Sequence, residues 1–111
     1  MNEVMLSNAN QSSIINNQQK ISSSQSARLE QNQPNPAAQT TVIKYFVPEQ
    51  SVKAAIRITN SNGQEIKLLN IPAKNNGQIS IQANGLIPGT YLYSLIIDGK
   101  TIDTKKMVII H

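Results

Sequence analysis

Gly89 to Ile110 reads GTYLYSLIIDGKTIDTKKMVII. The stretch predicts a β-hairpin. One arm, Tyr91 to Ile97, is rich in aromatic and β-branched residues, the types that fit a pleated surface. Asp98-Gly99 forms a two-residue turn of the type I′ class, which needs positive φ that Asp and Gly tolerate. The other arm, Lys100 to Ile110, carries Lys105 and Lys106 and then turns apolar at Met107-Val108-Ile109-Ile110. Apolar surface of that extent has to leave water. The pattern therefore places this last strand inside a sheet.

Upstream of the hairpin, the same period of two recurs. Gln78 to Gln82 alternates, with Ile79 and Ile81 inward. Asn76-Gly77 reads as the turn before it, and Asn84-Gly85 and Pro88-Gly89 punctuate the approach to the hairpin. Glu65 to Ile71 is a strand, with either Ile66 and Leu68 or Leu69 and Ile71 facing in. Its double leucine suggests a bulge or irregular end. Asn62-Gly63 is the tight turn that joins it to Lys53–Thr59, where Ala54, Ile56 and Ile58 share a face. Thr41 to Val47 alternates as well, with Ile43, Tyr45 and Val47 inward and Lys44 on the wet side. Pro48 stops it. Leu29 to Asn32 reads as a short edge strand, and Pro34-Asn35-Pro36 as a rigid, extended crossing. About seven short strands with regular turn signals predict an all-β fold, a sandwich of two antiparallel sheets.

The chain has 111 residues, no cysteine and a formal charge of +4. Disulfide staples and thiol chemistry are excluded. Residues 1–28 are dominated by Asn, Gln and Ser and predict a disordered linker, since they hold too little apolar surface to offset chain entropy. Residues 29–111 then form the domain. The start, MNEVMLSNAN, has an acidic residue where the basic region of a secretory signal belongs and no apolar run of adequate length; a true start at Met1 and an internal position in a longer protein both fit. The basic residues are spread one or two per strand. A nucleic-acid binder clusters them and interleaves stacking aromatics, so no nucleic-acid partner is expected.

Chemistry-bearing patterns are scarce. His111 is the only histidine, and the six acidic residues are dispersed. Nothing predicts a catalytic residue, a metal site, a cofactor or a small-molecule substrate. Asp98 is explained by its turn. Tyr91 and Tyr93 share one strand face and are read as packing residues, with a carbohydrate-stacking platform as the lesser alternative. Lys105 and Lys106 read as a solvated pair, with recognition by a partner as the alternative.

Leu29-Glu30-Gln31-Asn32-Gln33-Pro34-Asn35-Pro36, followed by Thr41, Ile43, Tyr45 and Pro48, resembles the opening of a known family. That family is the type A C-terminal sorting domain of type IX secretion, the Por secretion system tail. Its pattern is roughly L-x-Q-N-x-P-N-P and then T-x-I-x-Y-x-x-P. Gly63 within Asn62-Gly63-Gln64-Glu65-Ile66 is similar to the family's N-G-Q-E-V turn. Gly89, Tyr91, Tyr93, Asp98, Gly99, Lys105, Lys106, Met107 and Val108 fall in the family's order at the end. The chain departs from the pattern in two places: Ala37-Ala38 stands where the family usually has Phe-Asn, and His111 where it often ends in Lys.

The resemblance implies an immunoglobulin-like β-sandwich with a carrier function and no reaction. Such domains direct an attached upstream cargo from the periplasm across the outer membrane. Their partners are the outer-membrane translocon, which recognises the domain, and a sortase, which commonly removes it. The cargo is secreted or held at the cell surface. Two other classes fit a small sandwich: a carbohydrate-binding or adhesive module, which calls for an exposed aromatic row, and a structural cap on a surface fibre.

Overall fold

The computed structural model describes residues 26–111. The linker expected over residues 1–28 lies, up to residue 25, outside the described residues. Arg28 is already part of a strand.

The described residues hold seven strands in chain order: β1 Arg28–Leu29, β2 Thr40–Val47, β3 Ala54–Asn60, β4 Glu65–Ile71, β5 Asn75–Gln82, β6 Gly89–Ile97 and β7 Lys100–Ile109. A single 3₁₀ turn, Ala83–Gly85, separates β5 from β6. The strands form two antiparallel sheets, one in the order β1-β2-β5 and one in the order β4-β3-β6-β7. The inward rows of both sheets meet in one core, which includes Ile43, Tyr45 and Val47 from one sheet and Ile56, Ile58, Tyr93, Leu95, Met107 and Ile109 from the other. The all-β sandwich expected from the alternation is the observed architecture. Of the eight inward residues that define the phases of β2, β3, β5 and β6, only Ile79 is half-buried; Ile43, Tyr45, Ile56, Ile58, Ile81, Tyr91 and Leu95 are buried.

The turn chemistry is clearest at the last hairpin. Asp98 and Gly99 have φ of 50° and 82°, the left-handed pair that a type I′ turn demands. The Asp98 carboxylate has a second task. Its Oδ1 accepts the backbone N–H groups of Val52 at 3.0 Å and Lys53 at 2.9 Å, and the Asp98 N–H donates to the Lys53 carbonyl. The aspartate thus fastens the β2–β3 loop to the hairpin.

Four expectations are corrected. Asn76-Gly77 is not a turn: both residues lie in β5, paired with Phe46 and Tyr45. The glycine is there for space, because a Cβ on Gly77 would run into the Tyr45 ring. Burial of that ring raises the Tyr45 pKa from its usual value. Gly77→Ala is expected to lower stability by about 1–3 kcal/mol, since a buried tyrosine must move to admit one methyl. Thermal melts check this, and an unchanged midpoint would count against the packing account.

The irregularity of β4 is not at the double leucine. The register with β3 slips between Ile58, opposite Lys67, and Thr59, opposite Glu65, which leaves Ile66 as the extra residue. Leu69 and Ile71 then take the inward phase, while Ile66 and Leu68 stay exposed. The Pro34-Asn35-Pro36 crossing is bent rather than extended, and both Gln33–Pro34 and Asn35–Pro36 are cis. Lastly, β7 is not interior to its sheet. Among the described residues it is an edge strand that pairs only with β6, apart from one bridge to Ala37. It still buries Met107 and Ile109, because alternation sends every second side chain into the core whatever the strand's position.

Candidate functional site

The segment from Leu29 to Ala37 leaves the three-stranded sheet, crosses the open side of the sandwich and reaches the exposed edge of β7. Leu29 is buried in the core and pairs with Tyr45. The Glu30 N–H still donates to the Lys44 carbonyl at 2.9 Å, and Gln33 exchanges two backbone hydrogen bonds with Val42. Beyond that point the chain turns away, and side chains take over the work of a ladder.

Asn32 is the centre of this crossing. It is 1% exposed, and a buried amide must find partners for its N–H and C=O groups. Its Nδ2 donates to the Pro34 carbonyl at 3.0 Å and to Thr41 Oγ1 at 2.9 Å, and its Oδ1 accepts from Gln31 Nε2 at 2.7 Å. The Thr41 hydroxyl, itself fully buried, donates to the same Pro34 carbonyl at 2.8 Å. The Asn32 backbone N–H donates to the Tyr93 hydroxyl at 2.7 Å, and that hydroxyl donates to the Glu30 carbonyl at 2.7 Å. One phenol from the four-stranded sheet therefore closes on two backbone groups of the crossing. Burial pushes the Tyr93 pKa up to about 12, against the pull of the Asn32 N–H and helped by the Asp103 charge.

The far half of the crossing covers the end of β7. Strand alternation points the N–H and C=O groups of Thr104, Lys106 and Val108 away from β6. Gln31 Nε2 donates to the Lys106 carbonyl at 2.7 Å. Asn35 Oδ1 accepts the Val108 N–H at 2.9 Å. The Ala37 N–H donates to the Val108 carbonyl and the Ala37 carbonyl accepts the Ile110 N–H, each at 2.9 Å. Ala37 is fully buried in a parallel bridge with Ile109. The small residue where the resemblance expects an aromatic is thus seated against the last strand. His111 Nε2 lies 2.8 Å from the Leu86 carbonyl oxygen.

Other singled-out residues stand elsewhere. Pro48 ends β2, and its carbonyl accepts the Ser51 N–H. Gly63, with φ of 85°, makes the β3–β4 turn, and Gly89 opens β6. Pro36 lies in the crossing itself. The Tyr91 hydroxyl donates to the Ile87 carbonyl. Lys105 and Lys106 do not form one patch. Neighbours in a strand point to opposite faces: Lys105 is half-buried with its Nζ 3.6 Å from Asp103 Oδ2, while Lys106 is exposed on the other face. Asp103 and the Glu30 carbonyl were not singled out by the sequence, and Ala37 stood out only as a departure from the family pattern; Ala37 and Glu30 act through the backbone, which no residue type advertises.

Among the described residues, no group of three His, Asp or Glu side chains could hold a metal ion, and no helix is long and apolar enough to cross a membrane. A surface groove beside Glu30 is lined by Gln31, Gln33, Val42, Lys44 and Gln78. It places no nucleophile beside a base.

The sequence model of one family, described as the secretion system C-terminal sorting domain, matches residues 33–110. The chain belongs to that family. Comparison with curated proteins and with solved structures gave no match. The match spans the sorting domain from the Gln33–Val42 bridge to the end of β7 and so includes Asn35, Ala37 and the edge they cover. Gln31 and Asn32 lie just ahead of it. Their part in the sorting domain is read from their hydrogen bonds alone.

Proposed function

We propose that this sorting domain is the export signal of an attached cargo protein, and that the type IX outer-membrane translocon reads its folded end. The domain takes no part in a reaction. A sortase separates it from the cargo ahead of Arg28, and the cargo is released or held at the cell surface. The family match over residues 33–110 carries this reading. The sandwich supports it, because the crossing and β7 are hydrogen-bonded together at one end of the fold. The carbohydrate-module reading loses its support here. Tyr91 and Tyr93 are both buried, and Phe46 lies under the Arg28 guanidinium, 5.3 Å from its ring centre.

The test is a fusion of the whole chain behind a periplasmically targeted reporter, expressed in a type IX-competent cell. The reporter is expected on the cell surface or in the medium. If it stays in the periplasm while the cell's own secretion is active, the reading is wrong.

The lysines are tested in the same fusion. Lys105→Ala with Lys106→Ala is expected to stay folded, because surface substitutions away from special features cost within about 0.5 kcal/mol and the Lys105–Asp103 pair is solvent-screened. Export of this folded variant at the level of the parent would remove the lysines from the recognition surface. Loss of export with an unchanged melt would place them on it.

A further inference from the structure

The outer edge of β7 falls into two sections. From Lys106 to Ile110 every outward group with a partner is met by the crossing: the Lys106 carbonyl by Gln31, the Val108 N–H by Asn35, the Val108 carbonyl and the Ile110 N–H by Ala37. These are the groups that a neighbouring strand would otherwise pair with. Ahead of the Lys106 carbonyl the edge is open among the described residues. The Thr104 N–H is held by the adjoining Asp103 Oδ1 at 2.8 Å. The Thr104 carbonyl and the Lys106 N–H point outward and meet no partner among the described residues. Ile102, at the register slip opposite Leu95 and Ile96, is 44% exposed beside them.

An exposed strand edge is a template for an added strand, and native folds shield it unless it is used. Here the shield is partial. It consists of two amide side chains and one residue of backbone, and Gln31 and Asn35 are both solvent-exposed. We propose that residues 31–37 are a releasable strap, and that the partner is an extended polypeptide strand. That strand begins pairing at Thr104–Lys106 and continues along Lys106–Ile110 as the strap lets go. The inference rests on the reading that a translocon recognises this end, and adds what it docks and how. Main-chain pairing of this kind reads the edge and few side chains.

The test fixes the strap in place. Ala37 and Ile109 are bridge partners, so their Cα atoms lie within the range a disulfide spans, and the chain has no other cysteine. Ala37→Cys with Ile109→Cys, in the whole-chain fusion, is oxidised in the periplasm and scored by thiol alkylation. Expected is a folded, disulfide-closed protein that is retained at least about tenfold more than either single-cysteine variant. A second variant weakens the strap: Gln31→Ala with Asn35→Ala, which is expected to stay folded, to exchange its Val108 and Ile110 amide hydrogens about tenfold faster or more, and to be exported at least as well as the parent. Export of the closed disulfide form at the single-variant level overturns the proposal. So does loss of export by the folded, weakened variant, which would mean that the partner reads the strap as seated. Where the disulfide does not close or a single cysteine already blocks export, the weakened variant decides alone. Failure of the unmodified fusion in an active cell overturns instead the reading on which the strap rests.

Discussion

A chain that ends at Lys105 will show no cooperative unfolding transition. The cut removes Met107 and Ile109, both fully or almost fully buried, and burial of side chains of this size is worth about 1.5–3 kcal/mol each. It also strips the pairs that Gly89 to Leu92 make with β7. The crossing loses every β7 group it fastens to, so Ala37, buried against Ile109, is uncovered. Small domains hold only about 5–15 kcal/mol in total, and one of this size sits toward the low end. The losses match that reserve. Circular dichroism through a thermal ramp decides the point, and a cooperative melt within a few degrees of the parent would show that the last strand is dispensable to the fold. The same cut in the fusion will block export, but unfolding alone explains that result. This is why the folded lysine and strap variants, rather than truncation, report on recognition.

The next largest effect is expected from Tyr93→Phe. The ring packing is kept and one oxygen is lost. That oxygen accepts the Asn32 N–H and donates to the Glu30 carbonyl. Leaving a buried polar group unpaired costs about 1–3 kcal/mol, so the variant is expected to lose about 2–4 kcal/mol for the two. For a domain of this size that lowers the midpoint by roughly 10–30 °C. A loss under about 0.5 kcal/mol would mean that water replaces the hydroxyl at no cost. The same group sets an alkaline limit. Its folded pKa of about 12 lies above the unfolded value of 10.0. Between these values the unfolded chain has given up the proton and the folded one has not, so the stability is fully present below pH 10 and is lost as pH rises through the folded value. Tyr93→Phe removes this part of the alkaline loss. A denaturant titration across that window measures it, and identical pH slopes in parent and variant would contradict the assignment.

Much of this fold was legible because alternation and turn residues agree. The inward rows of β2, β3 and β6 follow from period two alone, and Asp98-Gly99 states its own turn. The misreadings came where the deciding partner is distant in sequence. Asn76-Gly77 has the composition of a turn, and only Tyr45, across the sheet, makes it a strand. The slip at Ile66 is a property of the β3–β4 pair, so no inspection of β4 alone locates it. The β7 sequence reads as interior because Met107 and Ile109 are buried, yet position in a sheet depends on backbone partners rather than side chains. For the site, the Gln31-Asn32 and Asn35 motif was visible as a pattern, while its purpose was not. The acceptors and donors it serves are backbone groups of Lys106 and Val108, and every residue type has those.

The fastening of the crossing to β7 also orders events in time. Gln31 and Lys106 are 75 positions apart, and Asn35 and Val108 are 73 apart. During synthesis, or passage through a channel in the direction of synthesis, the crossing emerges first and must wait for nearly the whole domain before its partner arrives. Contacts of such sequence separation close late and make folding slow, because loop entropy is spent before they form. Whatever precedes residue 28 in a polypeptide therefore has a head start on the sandwich. A finished β7 edge is a report that every earlier segment has already been delivered, and machinery that reads that edge does not engage a half-emerged chain.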